Sequence, residues 1–192
     1  MYDFVPLDQN LLEKTSDNWK KCLNEEDPPF SPDGYDAFLA YCQNILNDPA
    51  SHRDARPYAI VRSGDEFAAG IMILTLALPG LPGAWIKVTS SRTSPRLDSR
   101  WGNDGMAIQD RLRKVAAIIT TGFLEIYRLS DTDLKCNKIK FYANKQVDRS
   151  LFMKFVEVID SNPEMDCDKG DLQIELESQG AWLILQKTRE GI

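Results

Sequence analysis

The apolar residues of this chain fall into alternating helix-like and strand-like periods. Tyr2 to Pro6 reads as a short opening strand, and over Asn10 to Leu23 the residues Leu11, Leu12, Trp19, Cys22 and Leu23 share roughly one face, the spacing of a first helix. Asn24 to Pro32 is acidic and proline-rich and reads as a loop, with Ser31-Pro32 offering an N-cap and a proline in the first helical position. Tyr35, Phe38, Leu39, Cys42, Ile45 and Leu46 then recur at helical spacing until Asn47-Asp48-Pro49 stops the run. Arg56 to Ser63 reads as a strand, Ser63 to Glu66 as a hairpin turn, and Phe67 to Leu78 as a long strand buried on both faces. The Pro79-Gly80 and Pro82-Gly83 pairs make the next turn and Ala84 to Thr89 a fourth strand. Ser90 to Asp104 is polar and arginine-studded, and no period survives there.

From Met106 onward the pattern turns strongly helical. Ile108, Leu112, Val115, Ala116, Ile119, Phe123 and Ile126 fall on one stripe, with Arg111, Lys114 and Arg128 off it. Lys138 to Ala143 alternates as a half-buried strand, and Leu151, Phe152, Phe155, Val156 and Ile159 mark a short helix. Leu172, Ile174 and Leu176 alternate with Gln173, Glu175 and Glu177, Ser178-Gln179-Gly180 turns, and Ala181 to Leu185 returns as the second arm of a terminal hairpin. The expectation is one α+β domain over residues 1–192, with helices packed on a mixed sheet.

Composition narrows the function classes. With 43% hydrophobic and 27% charged residues in 192, the chain can bury one real core. Cys22, Cys42, Cys136 and Cys167 lie far apart, neither zinc-like pairs nor a disulfide framework, and read as free thiols. Met1 to Pro6 has no export signature, and the apolar run that ends at Leu78 is too short to span a bilayer, so a cytoplasmic protein without a membrane partner is expected. A net charge of −6 argues against a nucleic-acid partner. Yet Ile86 to Lys114 holds seven basic against three acidic residues, a local +4 that suits a compact anion better than a long polyanion.

Few constellations here can carry chemistry. A histidine-dependent triad would need His52, the only histidine, which sits in the polar loop Asp48 to Arg56. No metal site is expected: Glu164, Asp166, Asp168 and Asp171 read as a solvated acidic turn. What is left is the start of the long helix, where Asn103-Asp104-Gly105-Met106-Ala107 brings a glycine to backbone N–H groups and a dipole end that favour phosphate. Arg92, Arg96 or Arg100 would supply charge, while Asp104 is also a plausible cap of its own.

The order of elements over nearly the whole chain resembles the GNAT superfamily of acetyl-CoA-dependent N-acetyltransferases, and Gly105-Met106-Ala107 looks like the Gly-x-Ala half of that family's pyrophosphate-binding motif. Gly102 stands where the family carries Arg or Gln. The resemblance implies a mixed, mostly antiparallel sheet of about seven strands with helices on both faces. It further implies that acetyl-CoA, or another acyl-CoA, is held by Gly105, Met106 and Ala107, along the Val88 to Ser90 strand, and near Asn144. The implied activity is acetyl transfer to a small-molecule or protein amine, with a homodimer left open. Departures from the family pattern keep a second reading in place, a GNAT-like binding module without catalysis. Phe152 stands where many members carry a proton-donating tyrosine, and Trp85 to Thr89 has no glutamate, only Lys87; Tyr127 and Tyr142 are the remaining candidate acids, and no catalytic residue is assigned.

Overall fold

The computed structural model describes residues 1–22, 34–77, 81, 83–97, 106–132, 134–143, 172–177 and 180–186. In chain order they form β1 (Tyr2–Pro6), α1 (Gln9–Lys21), α2 (Tyr35–Asn47), β2 (Ala55–Arg62), β3 (Ala68–Ala77), β4 (Trp85–Thr93), a 3-10 turn (Pro95–Leu97), α3 (Ile108–Asp131), β5 (Lys138–Ala143), β6 (Leu172–Glu177) and β7 (Gly180–Gln186). The class is mixed α+β with mostly antiparallel strands. The chain divides into two compact units, Met1–Leu74 with Ser90–Phe123, and Thr75–Thr89 with Leu124–Ile192.

In the first unit the strand order is β1-β2-β3-β4. β1 runs antiparallel to β2, from Tyr2 opposite Arg62 to Pro6 opposite Tyr58. Asp8 caps α1 by accepting the Leu11 N–H at 2.8 Å, and Lys20 and Lys21 sit in its last turn, where the dipole favours cations. The buried stripes of α1 and α2, with Leu12, Trp19, Phe38, Leu39, Cys42 and Ile45, form one core with Ala59, Ala68, Ile71 and Ile73 of β2 and β3. Ala68 is held at both backbone groups: its carbonyl accepts from Trp19 Nε1 at 2.9 Å and its N–H donates to Thr15 Oγ1 at 2.9 Å. Buried polar groups need such partners. Burial also pushes the Cys42 thiol up to about 12, so it stays neutral.

Both faces of β3 are covered, as its unbroken apolar run implies. At Gly70 the packing is tight enough to need glycine, since a Cβ there would lie 2.7 Å from Ile118 Cγ2 of α3 and 3.3 Å from the Arg92 carbonyl oxygen.

Four expectations change. α2 opens at Tyr35 with Gly34 in the cap position and no side-chain cap, while Ser31 and Pro32 lie outside the described residues. β4 extends to Thr93 through a segment without hydrophobic period, because backbone pairing, not apolar burial, carries it; just beyond, Ser94 N–H donates to the Ala69 carbonyl at 2.9 Å. α3 begins at Ile108, two residues after Met106, with the Ala107 carbonyl accepting from the Asp110 and Arg111 N–H groups. The apolar stripe of α3 is also only partly covered. Ile118, Phe123 and Ile126 are buried, but Ile108 is 72% and Leu112 57% exposed, and Arg111, expected off the stripe, is 7% exposed. Ile108 and Ile126 stand about five turns apart on one side of the helix, so the face is apolar throughout and the protein covers it only further along. The expected helix over Leu151 to Ile159 lies outside the described residues.

In the second unit the order is β4-β5-β7-β6. β4 and β5 are parallel, from Trp85 opposite Lys138 to Val88 opposite Phe141. Their link runs through α3, since parallel neighbours need a long crossover. β5 then pairs antiparallel with β7 from Lys138–Gln186 to Ala143–Ala181, and the expected terminal hairpin is β6 with β7, Leu172 opposite Leu185 through Glu177 opposite Gly180. Ile86, Val88, Ile139 and Phe141 line one buried face. Among the described residues no helix is long and apolar enough to cross a membrane.

Candidate active site

At the start of α3, Ala107 is exposed and Met106 half-buried, with the Met106 sulfur accepting from Lys114 Nζ at 3.6 Å. Because Ala107 supplies the first accepting carbonyl, the N–H groups of Ile108 and Gln109 have no acceptor within the helix. The positive end of the dipole is therefore carried by Ile108 and Gln109 as well as by the Met106-Ala107 pair. Sequence reasoning missed these two because it started the helix too early. Arg111, counted in the basic segment and expected off the apolar stripe, is 7% exposed one turn into the helix. Gly105 lies outside the described residues.

The Arg92 guanidinium lies 5.7 Å from the Phe38 ring centroid, Arg96 is exposed, and Arg113 pairs with Asp110 at 3.5 Å. Arg100 lies outside the described residues. Ser90 is half-buried on β4 within the same unit as Met106 and Ala107.

Val88 belongs to the second unit, 7% exposed at the last rung of the β4·β5 ladder, opposite Phe141. Beyond that rung β5 continues along β7 to Ala143. The parallel contact is thus four rungs long, while the antiparallel one beside it has six. Tyr142 stands one residue past the last parallel rung, half-buried, its ring 4.8 Å from that of Trp182. Asn144 lies outside the described residues.

On β4 the ionisable group next to this point is Lys87, whose Nζ lies 4.3 Å from the Trp182 ring centroid. A cation over an aromatic face is attracted by the ring quadrupole, which fixes where the Lys87 charge sits. His52 sits in the turn after α2, its ring edge-on to Tyr41 at 5.9 Å, and among the described residues no three His, Cys, Asp or Glu side chains gather to hold a metal. Glu164, Asp166 and Asp168, with Asp171, lie outside the described residues.

No protein-family model matches this sequence, and no curated protein sequence matches it. Solved structures do. Campylobacter jejuni N-acetyltransferase PseH in complex with acetyl coenzyme A is 12% identical, over 98% of this chain and 100% of that one, with a TM-score of 0.53. Apo FdhC, a nucleotide-linked sugar GNAT, is 13% identical over 96% of this chain and 86% of that one, TM-score 0.53. AtaTR bound with AcCoA is 9% identical over 96% and 92%, TM-score 0.51. Similarity at this level of identity speaks to backbone architecture, and these chains span nearly the full length of one another. The protein has the fold of the GNAT acetyltransferases.

Proposed function

We propose that this chain is an acyl-CoA-dependent N-acyltransferase that moves an acetyl group from acetyl-CoA to an amine, and that residues 1–192 form a single domain on one sheet of about seven strands. The observation that carries the reading is the short parallel ladder: β4 and β5 pair over four rungs only, and Val88 marks the end of that pairing while both strands run on. Backbone groups past the end of such a pairing can meet an extended ligand, as those of a strand edge do. The other half of the reading is the entry to α3, where Ala107, Ile108 and Gln109 are exposed residues and the first helical N–H groups lack an acceptor within the helix, as binding a diphosphate would need.

In this reading the amides of Gly105 to Ala107, with those of Ile108 and Gln109, hold the pyrophosphate, and Arg111 adds positive charge to the same helix end. Backbone groups from Val88 to Ser90 and the Asn144 side chain hold the pantetheine arm. The bound cofactor supplies a thioester whose acyl carbon accepts the amine: the N–C bond forms, the C–S bond breaks, and the amine proton leaves with the thiol. The chain's own contribution is positioning, which can supply most of such an acceleration without a strong general base. The acetyl coenzyme A complexes of PseH and AtaTR support the choice of cofactor, and FdhC is a nucleotide-linked sugar GNAT. The second reading, a binding module without catalysis, draws on Lys87 replacing any carboxylate on the Trp85 to Thr89 stretch.

Titration with acetyl-CoA while following thermal unfolding tests the proposal. At a concentration 100 times its dissociation constant the ligand adds about 2.7 kcal/mol of stability. Gly105→Trp should remove that shift while leaving the unliganded transition in place, because a side chain there intrudes where the phosphate must approach. Absence of any shift at millimolar acetyl-CoA overturns the proposal. Binding without thiol release in the presence of amines selects the module reading.

A further inference from the structure

Opposite the buried face of β4, β5 and β7, the second unit presents Trp85, Lys87, Lys138, Lys140, Tyr142 and Trp182, all half-buried. Their arrangement is unusual in one respect. Lys87 and Lys140 occupy directly opposed positions in the parallel ladder, and Lys138 stands next to them opposite Trp85. Like charges directly opposed on a sheet destabilise it. A structural surface would relieve this with a carboxylate, yet among the described residues none of the three lysines makes an ion pair. The cations instead lie over rings, Lys87 Nζ at 4.3 Å from Trp182 and Lys140 Nζ at 5.9 Å from Trp85. Tyr142, tilted 45° against Trp182 at 4.8 Å, completes the wall. Glu175 of β6 holds the register position opposite Trp182, on the far side of β7 from the lysine pair.

Lysine stems often lie on apolar surface with the ammonium in water, and Ile184, opposed to Lys140, is indeed buried. That explains the stems but not the choice of two cations for one cross-strand pair. An anion shared between them turns the repulsion into attraction, and the rings limit its access to water. The anion is compact, because a net charge of −6 over the whole chain repels an extended polyanion. Lys87 immediately precedes Val88, the residue proposed to adjoin the acyl arm. We infer that Lys87 and Lys140, walled by Tyr142 and Trp182, bind the phosphate or carboxylate of a small amine acceptor, so that the acceptor is an anionic amine. Its assignment as acceptor rests on the transferase reading; the anion seat itself does not.

Three probes that differ only at one end test this by titration calorimetry on the full chain: phosphoethanolamine, β-alanine and ethanolamine. The two anions should bind at least about tenfold more tightly than ethanolamine, because charge-assisted contacts are the strong ones. Whichever anion binds more tightly names the group. Lys87→Gln with Lys140→Gln should weaken that anion by at least about tenfold, and Lys87→Arg with Lys140→Arg should largely restore it, both folded by their thermal transitions. Equal affinity for all three probes, no binding of either anion, or an unchanged affinity in the double glutamine variant overturns the inference. So does a double glutamine variant that changes the oligomeric state by sedimentation in place of anion affinity, which would make the wall a contact between copies. Acetyl-CoA titration of the unmodified chain keeps the two claims apart: anion binding without an acetyl-CoA shift preserves the seat and overturns only its assignment to an acceptor.

Discussion

The contact between α1 and β3 and the outer face of β4, β5 and β7 are built from similar side chains put to different ends. In the first, Trp19 is fully buried and its indole N–H is spent on the Ala68 carbonyl, while Thr15 takes the N–H of the same residue. In the second, Trp182 and Trp85 are half-buried and their faces carry lysines. In the first region the buried Trp19 and Thr15 side chains are both hydrogen-bonded, whereas in the second, among the described residues, the opposed lysines make no ion pair. A region of the first kind buys stability, and a region of the second kind tolerates a small loss of it where a ligand can make up the difference.

The sharpest way to break that contrast is to damage the first region. Trp19→Ala should cost about 3–5 kcal/mol, from a cavity in the core and from the orphaned Ala68 carbonyl. Denaturant unfolding measures it. A loss near that of an exposed residue would show that α1 does not anchor the strand. Next in size is Gly70→Ala, where the added methyl meets the branched Ile118 side chain and a backbone oxygen, neither able to retreat far. About 1–3 kcal/mol is expected for such overpacking. Gly122→Ala is the control, since its Cβ would meet the flexible end of Met72 at 2.6 Å, which can move aside, so it should cost clearly less.

The two regions also differ in how far the sequence disclosed them. β1 is read over Tyr2–Pro6 as it is built, and the double-sided burial of β3 follows from an apolar run that no solvent-facing strand would carry. The period of α3 told which side is apolar but not how much of it is covered, hence the exposed Ile108 and Leu112. Arg111 was placed off that stripe by the helical period, yet it is 7% exposed. Of the candidate site, Val88 was placed on the correct strand, but its standing as the last rung depends on the register between β4 and β5, which lie about fifty residues apart in sequence and are joined only through α3. The Lys87–Lys140 opposition is invisible for the same reason. Each lysine alternates with apolar neighbours in its own strand and looks like an ordinary outward position.

The smallest predicted effect is the most discriminating. In an ordinary surface, deleting a half-buried lysine removes a little packing and costs a few tenths of a kcal/mol. Lys140 differs because its ring contact at 5.9 Å is at the outer limit for a cation over an aromatic face, while Lys87 stands directly across from it. Lys140→Gln therefore should raise stability, by about 0.2–1 kcal/mol, as the opposed charges are relieved. Lys140→Glu should raise it further by making an opposite-charge pair with Lys87. The gain must shrink between low salt and molar salt, where the screening length falls to about 3 Å. Denaturant midpoints at the two ionic strengths measure both the sign and the salt dependence. A stability loss, or a gain indifferent to salt, would mean that the lysines are already compensated, and the wall would then be a packed surface like the one around Trp19.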